Sequence, residues 1–220
     1  MLCAVRGALY ESKDGARSWR LVVGSKRFGT CYSFKNGTIN GQPHALASCD
    51  RGVANVPAAG GEWNLIPPGG WGRAGYLSVS DSLHTTSVLG GCLGGHVCIG
   101  VVLNQTAANW SYFPDRPCTM LALNPNDASH FIYTKPPLTY QSTDGGRTYE
   151  SLNHSDIFHC GIDRSGALYT AAMGGAFVST DCGPGPNRKR PCSWQAYFDK
   201  RVQRRTGASM VRVAHDYQVP

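Results

Sequence analysis

The 220-residue chain lacks any apolar run long enough for a membrane-spanning helix, so no membrane segment is expected within it. It lacks sustained helical periodicity, which excludes a helical bundle. It contains nine cysteines but no C-x₂-C pair, which argues against a zinc ribbon or finger. Glutamate is scarce: outside the first strand region only Glu62 and Glu150 occur, leaving few partners for paired-carboxylate chemistry. The seven histidines show no ligand spacing and no Ser/Asp companionship, so neither a metal nor a cofactor is expected. Charged residues make up 16% of the chain, and the net charge of +7 is a modest basic bias. Its densest runs are Arg188-Lys189-Arg190 and Lys200-Arg201 with Arg204-Arg205. Without interleaved aromatics these read as solvated loops, and no nucleic-acid partner is expected.

What the chain has is a repeated turn. Ser142-Thr143-Asp144-Gly145-Gly146-Arg147-Thr148-Tyr149 is its best copy, and Ser12-Lys13-Asp14-Gly15-Ala16-Arg17-Ser18-Trp19 is a second. A third begins at Ser179-Thr180-Asp181-Cys182 and resumes at Ser193-Trp194 after an insertion. Worn copies end at Trp63 and Trp110. The closing aromatics Trp19, Trp63, Trp110, Tyr149 and Trp194 are 44, 47, 39 and 45 residues apart, a period that marks repeated β-units. The turn explains itself without chemistry. The Asp accepts bonds from backbone N–H groups two and three residues on, the Gly supplies a positive φ, and the aromatic re-enters the sheet to pack between units.

The Ser-x-Asp-x-Gly-x-(Ser/Thr)-aromatic pattern resembles the Asp-box, or BNR repeat, of sialidases, sortilin-type receptors, some endoglucanases and a photosystem assembly factor. Leu121 to Asp127, followed by Phe131-Ile132-Tyr133 and the box at Ser142, is especially similar. The resemblance implies an all-β propeller of four-stranded antiparallel blades, with boundaries near 28, 73, 117, 156 and 208 and the whole of 1–220 as one domain. It assigns structural roles to Ser12, Asp14, Gly15, Trp19, Ser142, Asp144, Gly146, Tyr149, Ser179, Asp181 and Trp194. The opening Leu2 to Arg6 reads as a second strand and Met210 to Tyr217 as a first strand. They either close a ring of about five blades, or the chain is a piece of a propeller of about six to ten. The piece is the preferred expectation, because Asp-box propellers usually have more blades.

Short strands separated by Gly-, Asn- and Pro-rich turns support this reading; the chain has 27 glycines and 13 prolines. The clearest unit predicts strands at Thr119–Leu123, Phe131–Thr134, Leu138–Gln141 and Tyr149–Leu152. Nine cysteines argue for an oxidising compartment. The expected pairs are Cys31 with Cys49, Cys92 with Cys98, Cys118 with Cys160 and Cys182 with Cys192, leaving Cys3 over. Four N-x-(S/T) sequons, at Asn36, Asn104, Asn109 and Asn153, point to the secretory pathway or its lumen.

Sialidase chemistry would need an Arg-Ile-Pro segment, further arginines and a Tyr–Glu nucleophile pair; Arg-Ile-Pro is absent. Asp50, Asp81, Asp163 and Asp216 are candidate carboxylates for a glycosidase, but they fall at turns, where a capping role is the simpler reading. A funnel site gathering His44, Asp50, Arg51, Asp163 and Arg164 from different blades is the candidate ligand site. Two functions follow: a non-catalytic, sortilin-like binding module for a protein or glycan, or a glycoside hydrolase of sialidase or endoglucanase type that is incomplete here.

Overall fold

Period-two burial is the local rule from which the structure is built. In Leu168–Ala172 buried and half-buried residues alternate, as in a strand with one face on a core. In Met120–Asn124 every residue is buried, as in a strand covered on both faces. The computed structural model describes residues 2–5, 8–22, 25–67, 74–155, 157–172, 175–182 and 192–196. The expected strand Met210–Tyr217, the boundary near 208, Asp216 and the two basic runs lie outside them. The chain is an all-β propeller fold with four four-stranded antiparallel blades, and it divides into two compact units, Met1–Pro117 and Cys118–Pro220.

The first unit opens with a three-stranded sheet of β1 (Leu2–Val5), β2 (Ala8–Glu11) and β3 (Arg20–Leu21). A 3-10 turn at Ser25–Phe28 leads into a sheet of β4 (Cys31–Ile39), β5 (Gln42–Cys49), β6 (Gly52–Pro57) and β7 (Asn64–Ile66). The next sheet holds β8 (Ala74–Ser80), β9 (Val88–Leu93), β10 (His96–Asn104) and β11 (Ala107–Pro117). The second unit holds β12 (Met120–Asn124), β13 (Asp127–Lys135), β14 (Leu138–Ser142) and β15 (Glu150–Ser155) in one sheet. Its other sheet is β16 (Ile157–Ile162), β17 (Leu168–Ala172), β18 (Gly175–Ser179) and β19 (Gln195–Ala196). Each four-stranded sheet is a simple antiparallel meander in chain order.

Apolar side chains pack between successive sheets. Leu9 and Val22 from the first sheet meet Phe28, Cys31, Ala47 and Trp63. Ile39, Leu46 and Ile66 meet Leu77, Leu89 and Val102 of the next sheet. In the second unit Ala122, Ile132 and Leu152 meet Ile162, Leu168 and Cys182. At about 25 cal/mol per Å², burial of this kind is the main favourable term in folding.

Polar ties set the spacing of these stacks. Asn55 in β6 donates from Nδ2 to the Gln105 carbonyl in the β10–β11 turn at 2.7 Å. Gln141 in β14 donates from Nε2 to the Cys182 carbonyl after β18 at 2.7 Å. Both amides stand eight residues before their unit's closing aromatic, Trp63 and Tyr149, so one repeat position does one job twice. Thr38 and Ser87 form a second tie: the Thr38 amide donates to Ser87 Oγ at 2.6 Å, and the Ser87 amide to the Thr38 carbonyl at 2.7 Å. Within one sheet, Gly52, which turns β5 into β6, shows how close the backbones of β6 and β7 come. Its φ is +136°, and a Cβ there would stand 2.2 Å from the Ile66 carbonyl oxygen.

The cysteines pair differently from expectation in two places. Cys31–Cys49 and Cys182–Cys192 are disulfides. Cys92 and Cys118 are also disulfide-bonded, whereas their expected partners Cys98 and Cys160 are in no disulfide. Register explains the first success and the first failure. Cys31 stands directly opposite Cys49, whereas Cys92 stands opposite Val97 and Cys98 opposite Gly91. Adjacent positions in an antiparallel pair point to opposite faces of the sheet, so Cys92 and Cys98 cannot meet.

Asn55→Ala and Gln141→Ala should each cost about 1–3 kcal/mol, because each strands a turn carbonyl, half-buried at Gln105 and buried at Cys182. Urea denaturation measures this, with exposed Asn109→Ala as a control expected to stay within about 0.5 kcal/mol. Two variants as stable as the control would show that the ties contribute nothing.

Candidate functional site

The turn after β2 sets the pattern. Asp14 Oδ1 accepts the Ser12 hydroxyl at 2.8 Å and the Ser18 amide at 2.9 Å, while Oδ2 accepts the Ser18 hydroxyl at 2.6 Å. Ser12 Oγ in turn accepts the Ala16 amide at 2.8 Å. The turn after β14 repeats this bond for bond. Asp144 Oδ1 accepts the Ser142 hydroxyl at 2.9 Å and the Thr148 amide at 2.9 Å, Oδ2 accepts the Thr148 hydroxyl at 2.5 Å, and Ser142 Oγ accepts the Gly146 amide at 2.8 Å. The amides bound by Asp144 lie three and four residues on, at Arg147 and Thr148, one further than the sequence pattern led us to expect. The cause is the pair of positive φ angles that follows the Asp, at Gly15 (71°) and Ala16 (72°) and again at Gly145 (72°) and Gly146 (89°). They carry the chain outward before it returns to the carboxylate.

The third copy holds the same bonds across an insertion. Asp181 accepts the Ser179 hydroxyl at 2.9 Å, the Ser193 amide at 3.0 Å and the Ser193 hydroxyl. Twelve residues now separate donor and acceptor where four do in the other copies. Cys182–Cys192, with Cα atoms 5.1 Å apart, closes the base of that insertion.

The closing aromatics vary in setting. Trp63 is buried against Phe28, with ring centroids 6.3 Å apart. Tyr149 stands edge-on to Phe131 and Tyr133. Trp110 donates from its indole to the Pro67 carbonyl at 3.0 Å, and Trp194 packs on the core of its unit. Trp19 is 41% exposed, because β3 is two residues long and is the outer strand of its sheet.

These bonds have an electrostatic consequence. The Ser18 hydroxyl, then its amide and the Ser12 hydroxyl, hold Asp14 down at about 2. The Thr148 hydroxyl and amide, with Ser142 and Arg147, do the same for Asp144, also about 2. Such carboxylates stay ionised at neutral pH and are poor general acids or bases.

Of the five candidate ligand residues, His44, Asp50 and Arg51 lie in the first unit, Asp163 and Arg164 in the second. His44 is buried near the start of β5; its Nδ1 lies 2.9 Å from the Gln42 carbonyl, and its Nε2 has no hydrogen-bond partner. Asp50 follows the other end of that strand, roughly 20 Å away at about 3.3 Å per residue. Its carboxylate accepts the Thr30 amide at 2.9 Å and the Tyr32 hydroxyl at 2.5 Å. Arg51, exposed, donates to the Arg27 carbonyl at 3.2 Å.

Asp163, in the turn from β16 to β17, accepts the Ser165 amide and hydroxyl at 2.8 and 2.6 Å, the Ala167 amide at 3.1 Å and the Tyr169 hydroxyl at 2.9 Å. Burial works to raise its pKa, but the Ser165 and Tyr169 hydroxyls outweigh it and the net shift is downward. Arg164, exposed, accepts Asn126 Nδ2 on its carbonyl at 3.0 Å. Asp81 accepts the Ser87 hydroxyl at 2.8 Å.

Tyr32 and Tyr169 are the contacts that sequence reasoning missed. Each bonds its Asp from a neighbouring strand, 18 and 6 residues away, and neither offset belongs to a turn motif. Among the described residues neither thiol is a ready nucleophile: Cys98 is buried, and burial pushes the Cys160 thiol up to about 12. Among the described residues no group of three or more His, Cys, Asp or Glu is placed to hold a metal ion. None of their helices is long and apolar enough to cross a membrane.

No known family pattern matches the sequence, and comparison with curated proteins finds no match. Likeness appears in structure. The chain is similar to the GH74 enzyme of Niastella koreensis, with a TM-score of 0.57 and 13% identity over 88% of this chain. It spans 35% of the length of that protein. It also has a TM-score of 0.48 and 11% identity to the calcium-binding protein regucalcin of Agrobacterium tumefaciens, over 82% of this chain and 66% of that one. At this identity the GH74 likeness is one of fold, that of a β-propeller.

Protonating the turn carboxylates should weaken the fold. The folded values of Asp14 and Asp144, about 2, lie below the ordinary 3.8. The stability they contribute is therefore present above about pH 4 and is lost as pH falls towards 2. Thermal melts from pH 7 to pH 2 should show Tm dropping through that window. The Asp14→Asn/Asp144→Asn double variant should melt lower at pH 7 and show a shallower acid slope; an unchanged slope would remove these carboxylates from the account.

Proposed function

We propose that this chain is an Asp-box propeller segment, residues 1–220 forming one domain, that serves as a non-catalytic binding module for a protein or glycan ligand. One observation carries the reading: Asp14, Asp50, Asp144, Asp163 and Asp181 are all occupied by hydrogen bonds from their own or adjacent strands. Carboxylates satisfied in this way hold turns and have no oxygen set aside for a substrate proton. The repeated bond set at Asp14, Asp144 and Asp181 supports the Asp-box reading. The disulfides support a secretory or luminal setting, since such bonds persist in oxidising compartments. Of the candidate ligand residues, exposed Arg51 and Arg164 are the ones a ligand would meet first.

The GH74 likeness supplies the competing reading, an incomplete glycoside hydrolase. A fluorogenic panel of sialosides and β-glucans on disulfide-intact protein separates the two. No turnover is expected. Turnover that disappears in Asp50→Asn or Asp163→Asn, with the fold intact, would overturn the binding-module reading.

A further inference from the structure

Sequon motifs are common, and what distinguishes one from another is where the fold puts it. Asn104 ends β10 at the tip of the β10–β11 hairpin and is exposed. Its Oδ1 accepts the Thr106 amide at 2.9 Å and the Thr106 hydroxyl at 3.0 Å, so the sequon is folded on itself as an Asx-turn. Its Nδ2, the atom a glycan would occupy, makes no hydrogen bond. Between them Gln105 is anchored, its carbonyl by Asn55 and its Oε1 by Asn64 Nδ2 at 2.9 Å. The middle residue thus grips the neighbouring sheet while the two sequon residues stay exposed. Beside them Leu103 is 57% exposed, the most exposed of the large apolar side chains described.

Two of the other sequons are less suited. Asn36 lies within β4, where Leu46 and Ser87 crowd the backbone of Gly37, and Thr38 is held in the two-way tie with Ser87. Asn109 is exposed but lies within β11, followed by Trp110, whose ring is tied to Pro67.

We propose that Asn104 carries an N-linked glycan that covers Leu103 and the hairpin tip, an inference that rests on the secretory reading above. The donor would be an oligosaccharide on a polyisoprenyl diphosphate. Asn104 Nδ2 forms a bond to the sugar C1 and gives up one proton, the bond from C1 to the diphosphate oxygen breaks, and the lipid diphosphate leaves. The sugar's apolar face then lies over a leucine that otherwise meets water, which removes an exposed apolar surface.

The test is to secrete the full chain from a eukaryotic cell behind a cleavable leader and release N-glycans with a peptide N-glycosidase in ¹⁸O-water. Peptide mapping should find the heavy label at residue 104. Asn104→Gln and Thr106→Ala should each remove one glycan's mass, while Thr106→Ser should retain it. An unlabelled Asn104 in secreted protein whose Cys31–Cys49 and Cys182–Cys192 bonds are formed overturns the site and leaves the secretory reading standing. A chain retained in the cell with both cysteine pairs reduced overturns both.

Discussion

The fold depends on a carboxylate whose oxygens are used by the chain within reach of a single turn. Asp144 takes the hydroxyl of the residue two before it and the amide and hydroxyl of the residue four after it. That set closes the third strand of a blade onto the fourth. It also fixes where the following aromatic enters, and after Asp181 that aromatic, Trp194, packs on the apolar core between two sheets. A local polar device therefore governs a nonlocal apolar one. The third copy makes the dependence plain: the bonds to Asp181 survive an insertion, because the Cys182–Cys192 bridge brings Ser193 back to the place Thr148 takes in its neighbour.

Stacking of sheet on sheet needs a second device, because apolar contact is non-directional and does not by itself fix spacing. The amides of Asn55 and Gln141 provide it. Each reaches from a third strand to a turn carbonyl of the next sheet, with the same bond length and at the same distance in sequence from its closing aromatic. Short side chains leave little latitude, so the facing turns are held at one separation. The Thr38–Ser87 exchange does the same at another level of the first unit.

The fold class was legible in the sequence because its signals are local and repeat. The expected strand Phe131–Thr134 lies inside observed β13, and Leu138–Gln141 inside β14, since turn residues bound them on either side. Strand ends were read short where hairpins extend past the apolar run, as in β13, which begins at Asp127 with three half-buried residues before the expected Phe131. Cys31–Cys49 was legible for the same reason, lying across one hairpin. The absence of Cys98 and Cys160 from any disulfide was not, because pairing depends on which face of a strand a residue occupies and on which strands lie opposite. Neither were the amide ties or the bonds from Tyr32 and Tyr169, whose partners are distant in sequence or share no turn motif. The five candidate ligand residues were gathered from different blades, and sequence gives no distance between them; His44 proves to lie near the start of β5 and Asp50 just past its other end.

A propeller fold by itself names no activity. The functional reading rests instead on what the carboxylates are doing, and their protonation is the direct readout of that. Carboxyl-carbon NMR titration of the folded protein, with Asp14 and Asp144 assigned, measures it. The account predicts that both titrate at about 2. Midpoints at the ordinary value of 3.8 would mean that the turn donors do not hold the ionised form, and would contradict the claim that these residues serve the fold.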